Sequence, residues 1–340
     1  MAKVRYMKKY LFNKFISCIV ILTLIVSVGI KLYSVFTFPE IEDWNYKQIK
    51  KIDETHNSYS FAVFGDNRNS ITTFNNLIHK LNKDSIIFAI DVGDLVEDGE
   101  KEKFRFFINQ IKKVNKPFLT VIGNHELREN GRANYYQMFG RFYYSFTVGK
   151  SYFIILDDAN EKRLDLWQLD WLKKELEKSQ SYKYRFVFMH VPLYDPRKGG
   201  DKKGHSLKDV TFARYLNKLF DKYHVSMLFC SHIHGYYKGY WQNTPFIITG
   251  GAGAKLAGTD PSHYFYHYIK VNISEQGVQY EVVRLNTPDF ELIDRLLHDT
   301  GMFIYAFIAI HFDIIIIIGC IYILILLYFK QDKIKIMYHA

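Results

Sequence analysis

The sequence has few of the residues that form flexible linkers or covalent cross-links. Proline occurs 7 times and glycine 20 times in 340 residues, and no stretch of biased composition resembles a linker between domains. Of the three cysteines, Cys18 and Cys320 lie in long apolar runs, which leaves Cys230 in the middle of the chain. An intradomain disulfide is therefore excluded. We expect stability to come from a large core, for which 28 phenylalanines and 26 tyrosines are available.

Acidic residues are absent from residues 1–31, which carry a net charge of +6. Residues 301–340 add +1, so only +3 of the formal net charge of +10 belongs to the middle of the chain. A charge of that size does not provide the extended basic surface that nucleic-acid-binding proteins need. We therefore expect no nucleic-acid partner.

Two apolar runs are long enough to cross a membrane. Residues 15–36 contain an uncharged stretch that ends before Lys31, and residues 302–329 form a second run interrupted by His311 and Asp313. Because about 20 apolar residues span the hydrocarbon core of a bilayer, we predict a transmembrane helix in each run. The alternative for the first run is a cleaved signal peptide, but no Ala-x-Ala-like cleavage site follows it.

The basic segments outside these runs predict the topology. Lysine and arginine concentrate on the cytoplasmic side of membrane segments, so residues 1–14 and 330–340 are predicted to be cytoplasmic tails. Residues 39–300 then form one domain on the other side. Since such a domain without disulfides is common in bacteria, we expect an integral protein of a bacterial plasma membrane with an extracytoplasmic domain.

Between the two runs, segments with the apolar period of a strand alternate with segments that have the period of a helix. The predicted strands are 60–64, 86–90 and 118–122, with hairpins formed by 142–148 and 151–156 and by 264–271 and 278–285. The predicted helices are 71–81, 100–114, 165–178 and 206–223. This alternation indicates the α/β class.

Five apolar runs are followed directly by side chains that bind metals. They lead into Asp66, Asp94, Asn124 with His125, His190, and His232 with His234. Gly93 gives the chain the freedom for a sharp turn before Asp94. Ligands bind at the carboxyl ends of strands in open α/β sheets, and oxygen and imidazole donors suit Mn, Fe or Zn ions. The pattern predicts a metal site, with room for two adjacent ions if Asp94 bridges them.

This ordered set of motifs, from about Ser60 to Gly253, resembles the calcineurin-like metallophosphoesterase superfamily. The resemblance implies a four-layer α/β/β/α sandwich, here flanked by N- and C-terminal transmembrane helices. It also implies two divalent ions, one bound by Asp66, Asp94 and His234 and the other by Asp94, Asn124, His190 and His232. A hydroxide between two such ions attacks phosphorus in line.

The resemblance further implies a role for the histidine that follows the asparagine ligand. His125 is at that position, beside Asn124, and is expected to face the substrate and either stabilise phosphate charge or protonate the leaving alkoxide. In many members a carboxylate three residues after the bridging aspartate orients this histidine. Glu97 is at that position and Asp98 follows it, so either acid is a candidate, and both are also ordinary acids of a turn.

The first motif departs from the family pattern. Many members read Asp-x-His there and use the histidine as a ligand, whereas this chain reads Asp66-Asn67-Arg68. A guanidinium carries only donors and cannot bind a cation. Three arrangements are open: more water on that ion, a substitute ligand such as Glu97, or one ion alone. Arg68 is expected to bind phosphate oxygens, the alternative being a surface arginine paired with a nearby acid.

Two functions are consistent with these observations. The first is a membrane-anchored, metal-dependent phosphoesterase that hydrolyses a phosphate mono- or diester, with a lipid-linked or cell-envelope substrate favoured by the two anchors. The second is an inactive binding or scaffold protein of the same fold, with Arg68 as the first sign of lost activity. Seven other positions match the family pattern, which favours the enzyme.

Overall fold

The computed structural model describes residues 2–37, 41–197, 204–285, 304, 307–308 and 310–339. The chain divides into two compact units. The larger unit is Pro39–Phe303, and the smaller unit combines the two ends of the chain, Met1–Phe38 and Ile304–Ala340. Each unit has its own secondary structure and is described separately.

Strands and helices alternate along the described part of the larger unit. The strands are β1 (Tyr59–Phe64), β2 (Phe88–Asp91), β3 (Phe118–Thr120), β4 (Tyr144–Val148), β5 (Ser151–Ile155), β6 (Tyr184–Phe188), β7 (Met227–Cys230), β8 (Tyr236–Trp241), β9 (Thr244–Thr249), β10 (His267–Ser274) and β11 (Gly277–Arg284). The helices of the chain are α1 (Ala2–Phe36), α2 (Trp44–Ile49), α3 (Thr72–Lys83), α4 (Lys101–Ile111), α5 (Gly131–Phe139), α6 (Leu166–Ser179), α7 (Val210–Lys222) and α8 (Phe312–His339).

The strands form two sheets. The first has the order β11-β10-β1-β2-β3 and the second the order β4-β5-β6-β7-β9-β8. β1, β2 and β3 are parallel, as are β5, β6, β7 and β9. β10 joins β1 in an antiparallel pair and continues into the hairpin with β11. The parallel strands of each sheet therefore end at a common edge.

An aromatic core fills the space between the two sheets. Phe61 of the first sheet stacks on Phe88, with ring centroids 5.1 Å apart, and meets Phe186 of the second sheet edge to face at 5.5 Å. α6 and α7 pack on the outer face of the second sheet through buried leucines such as Leu172 and Leu216. Phe74 of α3 packs on the first sheet. The predicted α/β class and the four-layer sandwich are confirmed.

The predicted strands and helices are present, and two shifts in their bounds have identifiable causes. α7 begins at Val210 rather than at residue 206 because the carboxylate of Asp209 caps it, accepting the N–H of Phe212 at 3.0 Å. β3 ends at Thr120 rather than at residue 122. Asn45 of α2, a helix that the sequence did not predict, pairs with the free edge of β3 by accepting the Thr120 N–H at 2.9 Å.

The smaller unit contains two helices that are long and apolar enough to cross a membrane, judged by length and composition. The segments are Tyr10–Phe36, with a mean hydropathy of 2.5, and Phe312–Lys330, with a mean hydropathy of 2.7. Within this unit Lys31 Nζ lies 3.9 Å from Asp313 Oδ2. α1 and α8 also run through most of the residues predicted as tails, and much of the predicted span before residue 310 lies outside the described residues.

Candidate metal site

Six predicted ligands gather at the edge where the parallel strands end. Asp66 and Asp94 follow β1 and β2, Asn124 follows β3, and His190, His232 and His234 follow β6 and β7. Two groups of ligand atoms form, each with all its atoms within 4.8 Å of one another. One is Asp94, His190 and His232, and the other is Asp66, Asp94 and His234. Asp94 belongs to both groups, as the sequence predicts for a bridging ligand.

We call the first group, together with Asn124, site B. His190 Nε2 lies 3.1 Å from Asn124 Oδ1 and 3.3 Å from Asp94 Oδ1, and His232 Nδ1 lies 2.9 Å from the same amide oxygen. His190 Nδ1 donates to the Val92 carbonyl at 2.8 Å, so its Nε2 is left with a lone pair. Several acceptor atoms thus face one another at about 3 Å, an arrangement that a shared cation stabilises.

We call the second group, Asp66, Asp94 and His234, site A. His234 Nδ1 donates to the Lys255 carbonyl at 2.7 Å, so its Nε2 points toward Asp66 Oδ1, 3.7 Å away. Ser231 Oγ donates to Asp66 Oδ2 at 2.5 Å. Asp66 Oδ1 is buried and has no hydrogen-bond partner among the described residues. A buried carboxylate oxygen without a partner is costly, and a divalent cation would satisfy it, so the residues of both sites fit metal ions.

The ligands stand on turns with unusual backbone conformations. Asp66, Asp94 and His232 have φ values of 60°, 56° and 67°, in the left-handed region. Gly93 has φ 93°, and a Cβ there would lie 2.7 Å from His190 Nδ1. Backbone strain of this kind persists only where the surrounding structure stabilises it, and it is typical of functional sites. The predicted sharp turn at Gly93 is therefore present, and glycine is required there for space as well as for φ.

Glu126 stabilises these turns, a role that the sequence analysis missed. Its fully buried carboxylate accepts the N–H of Gly123 at 2.7 Å and those of Asp94 and Val96 at 3.0 Å. Burial, and then the charge of Asp94, raise the pKa of Glu126 to about 8. One carboxylate thus links the turn after β2 to the turn after β3. The sequence signal that could have indicated this role is the position of Glu126 at the end of the motif Gly-Asn-His-Glu.

Asp158 is a second buried acid that the sequence analysis missed. It accepts the N–H groups of His190 and Val191, both at 2.9 Å, and so fixes the chain at one ligand of site B. Burial raises the pKa of Asp158 to about 7. The sequence carried no signal for this role, because Asp158 lies between β5 and α6, far along the chain from His190.

His125 lies against both sites. Its main-chain N–H donates to Asp94 Oδ1 at 3.0 Å, and its Nε2 lies 3.7 Å from Asp94 Oδ2. Its Nδ1 donates to the main-chain carbonyl of Glu97 at 2.6 Å, which leaves Nε2 directed at the site. Burial lowers the pKa of His125, and Asp94 opposes this shift while Arg68 adds to it. The imidazole is therefore fixed in one orientation.

The Glu97 carboxylate, one of the two candidates for orienting His125, is directed elsewhere. The carboxylate forms an ion pair with the Arg68 guanidinium, and the main chain of Glu97 contacts His125 instead. Asp98, the other candidate, pairs with Lys103 at 2.6 Å and with Arg128 at 3.4 Å. Arg68 thus pairs with a nearby acid, which was the alternative to phosphate binding considered from the sequence. The pair lies beside His125 at the rim of the site.

The fold and the paired ligand groups define a metal-binding α/β protein of the phosphoesterase type. The family model of calcineurin-like phosphoesterases matches residues 59–236, just over half of the chain. The chain therefore belongs to the calcineurin-like phosphoesterase family, as the motifs predicted.

Two relatives carry the names of phosphodiesterases. A probable cyclic nucleotide phosphodiesterase of Xenorhabdus bovienii is 35% identical over 54 residues, or 16% of this chain and 22% of the relative. A probable glycerophosphodiester phosphodiesterase of Arcobacter nitrofigilis is 28% identical over 201 residues, or 56% of this chain and 70% of the relative. The chain thus spans less than a quarter of the first relative.

Solved structures share the fold. Purple acid phosphatase PPD1 from yellow lupin (Lupinus luteus) has a TM-score of 0.56 and 19% identity, covering 70% of this chain and 55% of the phosphatase. GAP50, described as the anchor in the inner membrane complex of Plasmodium, has a TM-score of 0.50 and 15% identity, covering 73% of this chain and 95% of that protein. Identities this low are evidence for the fold alone.

Proposed function

We propose that this protein is a membrane-anchored, metal-dependent hydrolase of phosphate esters, and of phosphodiesters in particular. The observation that carries the proposal is the pair of ligand groups that share Asp94 at the strand ends. Membership in the phosphoesterase family gives the reaction class. The names of the two relatives favour a diester over a monoester.

Six side chains are assigned to two divalent ions: Asp66, Asp94 and His234 to site A, and Asp94, Asn124, His190 and His232 to site B. When bound, two such ions neutralise charge on a phosphoryl group and lower the pKa of a water placed between them. Mn, Fe and Zn all suit these donors. Glu126 and Asp158 stabilise the turns that carry the ligands, so the donor atoms are positioned before any ion arrives.

The remaining groups act on the substrate. His125, fixed by the Glu97 carbonyl, presents Nε2 to the site, where it stabilises phosphate charge or gives a proton to the leaving alkoxide. Arg68 lies at the rim and contributes positive charge for phosphate oxygens, with Glu97 as its partner. Asn124 contacts the substrate from the side of site B.

The two apolar helices support a location at the membrane. If α1 and α8 span it and both basic ends are cytoplasmic, the domain lies outside the cytoplasm of a bacterial cell. A site tethered at both ends near a bilayer favours a lipid-linked or cell-envelope phosphate ester as the substrate. A soluble diester that is hydrolysed faster than any membrane-bound diester would contradict this part of the proposal.

The second candidate is an inactive binding or scaffold protein of the same fold. The observation that favours it is Arg68, which stands where many family members have a metal ligand. Against it, both ligand groups are complete enough to present converging donor atoms.

A hydrolysis assay separates these two functions. The full-length protein in detergent is loaded with Mn and offered bis(p-nitrophenyl) phosphate and p-nitrophenyl phosphate, with Asp94→Asn as the matched inactive variant. The phosphoesterase proposal predicts turnover that Asp94→Asn abolishes and that is faster for the diester. No turnover above the variant with Mn, Fe or Zn would support the scaffold.

A further inference from the structure

The two sites differ in the number of their donor atoms. Site B has four donors, and the measured distances between them, through Asn124 Oδ1 and His190 Nε2, run from 2.9 to 3.3 Å. Donors bound to one ion at ~2.0–2.2 Å lie roughly 3.0–3.5 Å apart in tetrahedral or octahedral geometry. These four distances already match the spacing of bound ligands.

Site A is poorer in donors. It has three donors, and Asp66 Oδ1 lies 3.7 Å from His234 Nε2. The second oxygen of Asp66 is engaged by Ser231 Oγ, which restricts the carboxylate to one free oxygen. Among the described residues, no further His, Cys, Asp or Glu joins this group.

Arg68 projects from the turn that carries Asp66. The Arg68 N–H donates to the Asp94 carbonyl and the Asp66 N–H to the Gly93 carbonyl, both at 3.0 Å, so this turn is fixed to the turn that carries the bridging ligand. The guanidinium has no lone pair for a cation. Because it also forms an ion pair with Glu97, it withholds from site A the acid that could have substituted for the missing ligand.

The positive charge of Arg68, like the absence of a ligand at this position, lowers the affinity of site A for a metal ion. Its guanidinium pairs with Glu97, whose main-chain carbonyl accepts from His125 Nδ1 at 2.6 Å, so the charge lies beside the site. A positive charge there disfavours a metal cation in its neighbourhood, since like charges repel across a partly buried site with little screening. Arg68 thus weakens metal binding at site A in two ways, by standing in place of a ligand and by its positive charge.

We propose that the two metal ions bind unequally, tightly at site B and weakly and exchangeably at site A, and that Arg68 is the cause of the difference. This inference rests on the proposed function for its two-ion site. It implies that the protein at low metal concentration contains one ion and completes its site only when free metal rises. The supply of metal would then control activity.

Metal binding by the full-length protein in detergent tests the proposal without an activity assay. Chelator-treated protein is titrated with MnCl₂ by calorimetry, and metal per chain is measured by elemental mass spectrometry after dialysis. We expect about one ion retained per chain, and a second Kd at least tenfold weaker than the first, as losses around a metal site weaken affinity by roughly 10–100-fold. Asp66→Asn should abolish only the weak binding step.

Two Arg68 variants and one control variant identify the cause. Arg68→His restores an imidazole ligand and should tighten the second step at least tenfold, to about two ions retained. Arg68→Gln removes the charge and frees the Glu97 carboxylate but adds no imidazole, so it should tighten the step less. The control Arg163→Gln breaks an ion pair with Asp209, 2.7 Å away, and should bind Mn like the wild type. Thermal unfolding confirms that each variant is folded, and Arg68→Gln still tests the charge if Arg68→His does not fold.

Two results would overturn the proposal. One is two equally tight ions in the wild type, and the other is a second step that neither Arg68→His nor Arg68→Gln tightens. These outcomes differ from a failure of the proposed function. Stepwise binding without any phosphoester hydrolysis would refute the enzyme and leave the inference intact, whereas two equal sites with Mn-dependent turnover would refute the inference alone.

Discussion

Arg68 and Glu97 form an ion pair at the rim of the metal site, and Glu97 also binds His125 through its main-chain carbonyl. The two side chains are partly exposed, at 22% and 28%. The pair connects the guanidinium to the imidazole through one residue, and under the proposed function it lies where a substrate phosphate would arrive. The side chain and main chain of Glu97 have separable roles, and substitutions can distinguish them.

Removing Arg68 should impair catalysis more than removing the charge of Glu97. With both sites saturated with Mn, we expect Arg68→Ala to lower kcat/KM by ~100–1,000-fold, the range for losing one donor to transition-state charge. Glu97→Gln keeps the carbonyl that orients His125, so its loss should be smaller. If Glu97→Gln were as damaging as His125→Ala, the carboxylate rather than the main chain would orient the imidazole.

Glu126 should be required for the stability of the site. Glu126→Gln replaces an oxygen acceptor with an NH₂ group, which leaves at least one buried N–H of Gly123, Asp94 or Val96 without a partner. We expect a loss of about 1–3 kcal/mol in the free energy of unfolding, the usual cost of an unsatisfied buried donor. Urea unfolding measures it, with exposed Glu129→Gln as the control, which should change stability little. Equal stabilities of the two variants would contradict the role of Glu126.

The sequence predicted the strand ends and the residues that gather there because both are local patterns. An apolar run followed by Asp, Asn or His places that side chain at the end of a strand, whatever the rest of the chain does. β1, β2 and β3 could each be predicted from their own residues, without knowing which strands pair with them. The family and the fold class followed from the order of these motifs, and both are confirmed.

The contacts around the site were not predictable in this way, since they join residues far apart in the chain. Nothing in the sequence near His190 indicates that Asp158 fixes its main chain. Nothing in the sequence near Arg68 indicates that its acidic partner is Glu97. α2 was missed because its stability comes from pairing Asn45 with the edge of β3, which is a tertiary contact. The end of β3 shifted for the same kind of reason, whereas the start of α7 is set by its local cap, Asp209.

Buried His267 should make stability depend on pH at a distance from the metal ligands. Its Nδ1 contacts the Phe265 carbonyl at 2.9 Å and its Nε2 contacts Thr249 Oγ1 at 3.1 Å, and burial lowers its pKa to about 4. An unfolded histidine has a pKa near 6.5. As pH falls below about 6.5 the unfolded state binds the proton first, so stability falls until about pH 4.

This contribution can be isolated by substitution. Between pH 7 and 5, His267→Gln should lose stability less steeply than the wild type, and the difference should approach about 1.4 kcal/mol per pH unit. Exposed His79→Gln serves as the control and should keep the wild-type slope. Chemical unfolding at several pH values gives the slopes. Parallel slopes for all three proteins would show that His267 does not contribute.

The proposed topology can be tested in intact bacteria. Lys3→Cys lies in the N-terminal basic segment, and Tyr240→Cys lies on the larger unit, where Tyr240 is 73% exposed. A membrane-impermeant maleimide should label Tyr240→Cys and spare Lys3→Cys until the cells are opened. Labelling of Lys3→Cys from outside would contradict the proposed topology. A mature protein that starts near residue 35 would identify the first run as a cleaved signal peptide.

The most direct test of a two-ion phosphoesterase compares Asp94→Asn with Asp98→Asn, because only Asp94 belongs to both ligand groups. Asp98 lies four residues later and pairs with Lys103 and Arg128 instead. Hydrolysis of bis(p-nitrophenyl) phosphate is measured at saturating Mn, with metal per chain determined on the same samples. We expect Asp94→Asn to lose about 100-fold or more of kcat together with bound metal, and Asp98→Asn to retain both. Undiminished turnover in Asp94→Asn would contradict the assignment of this site as the centre of the reaction.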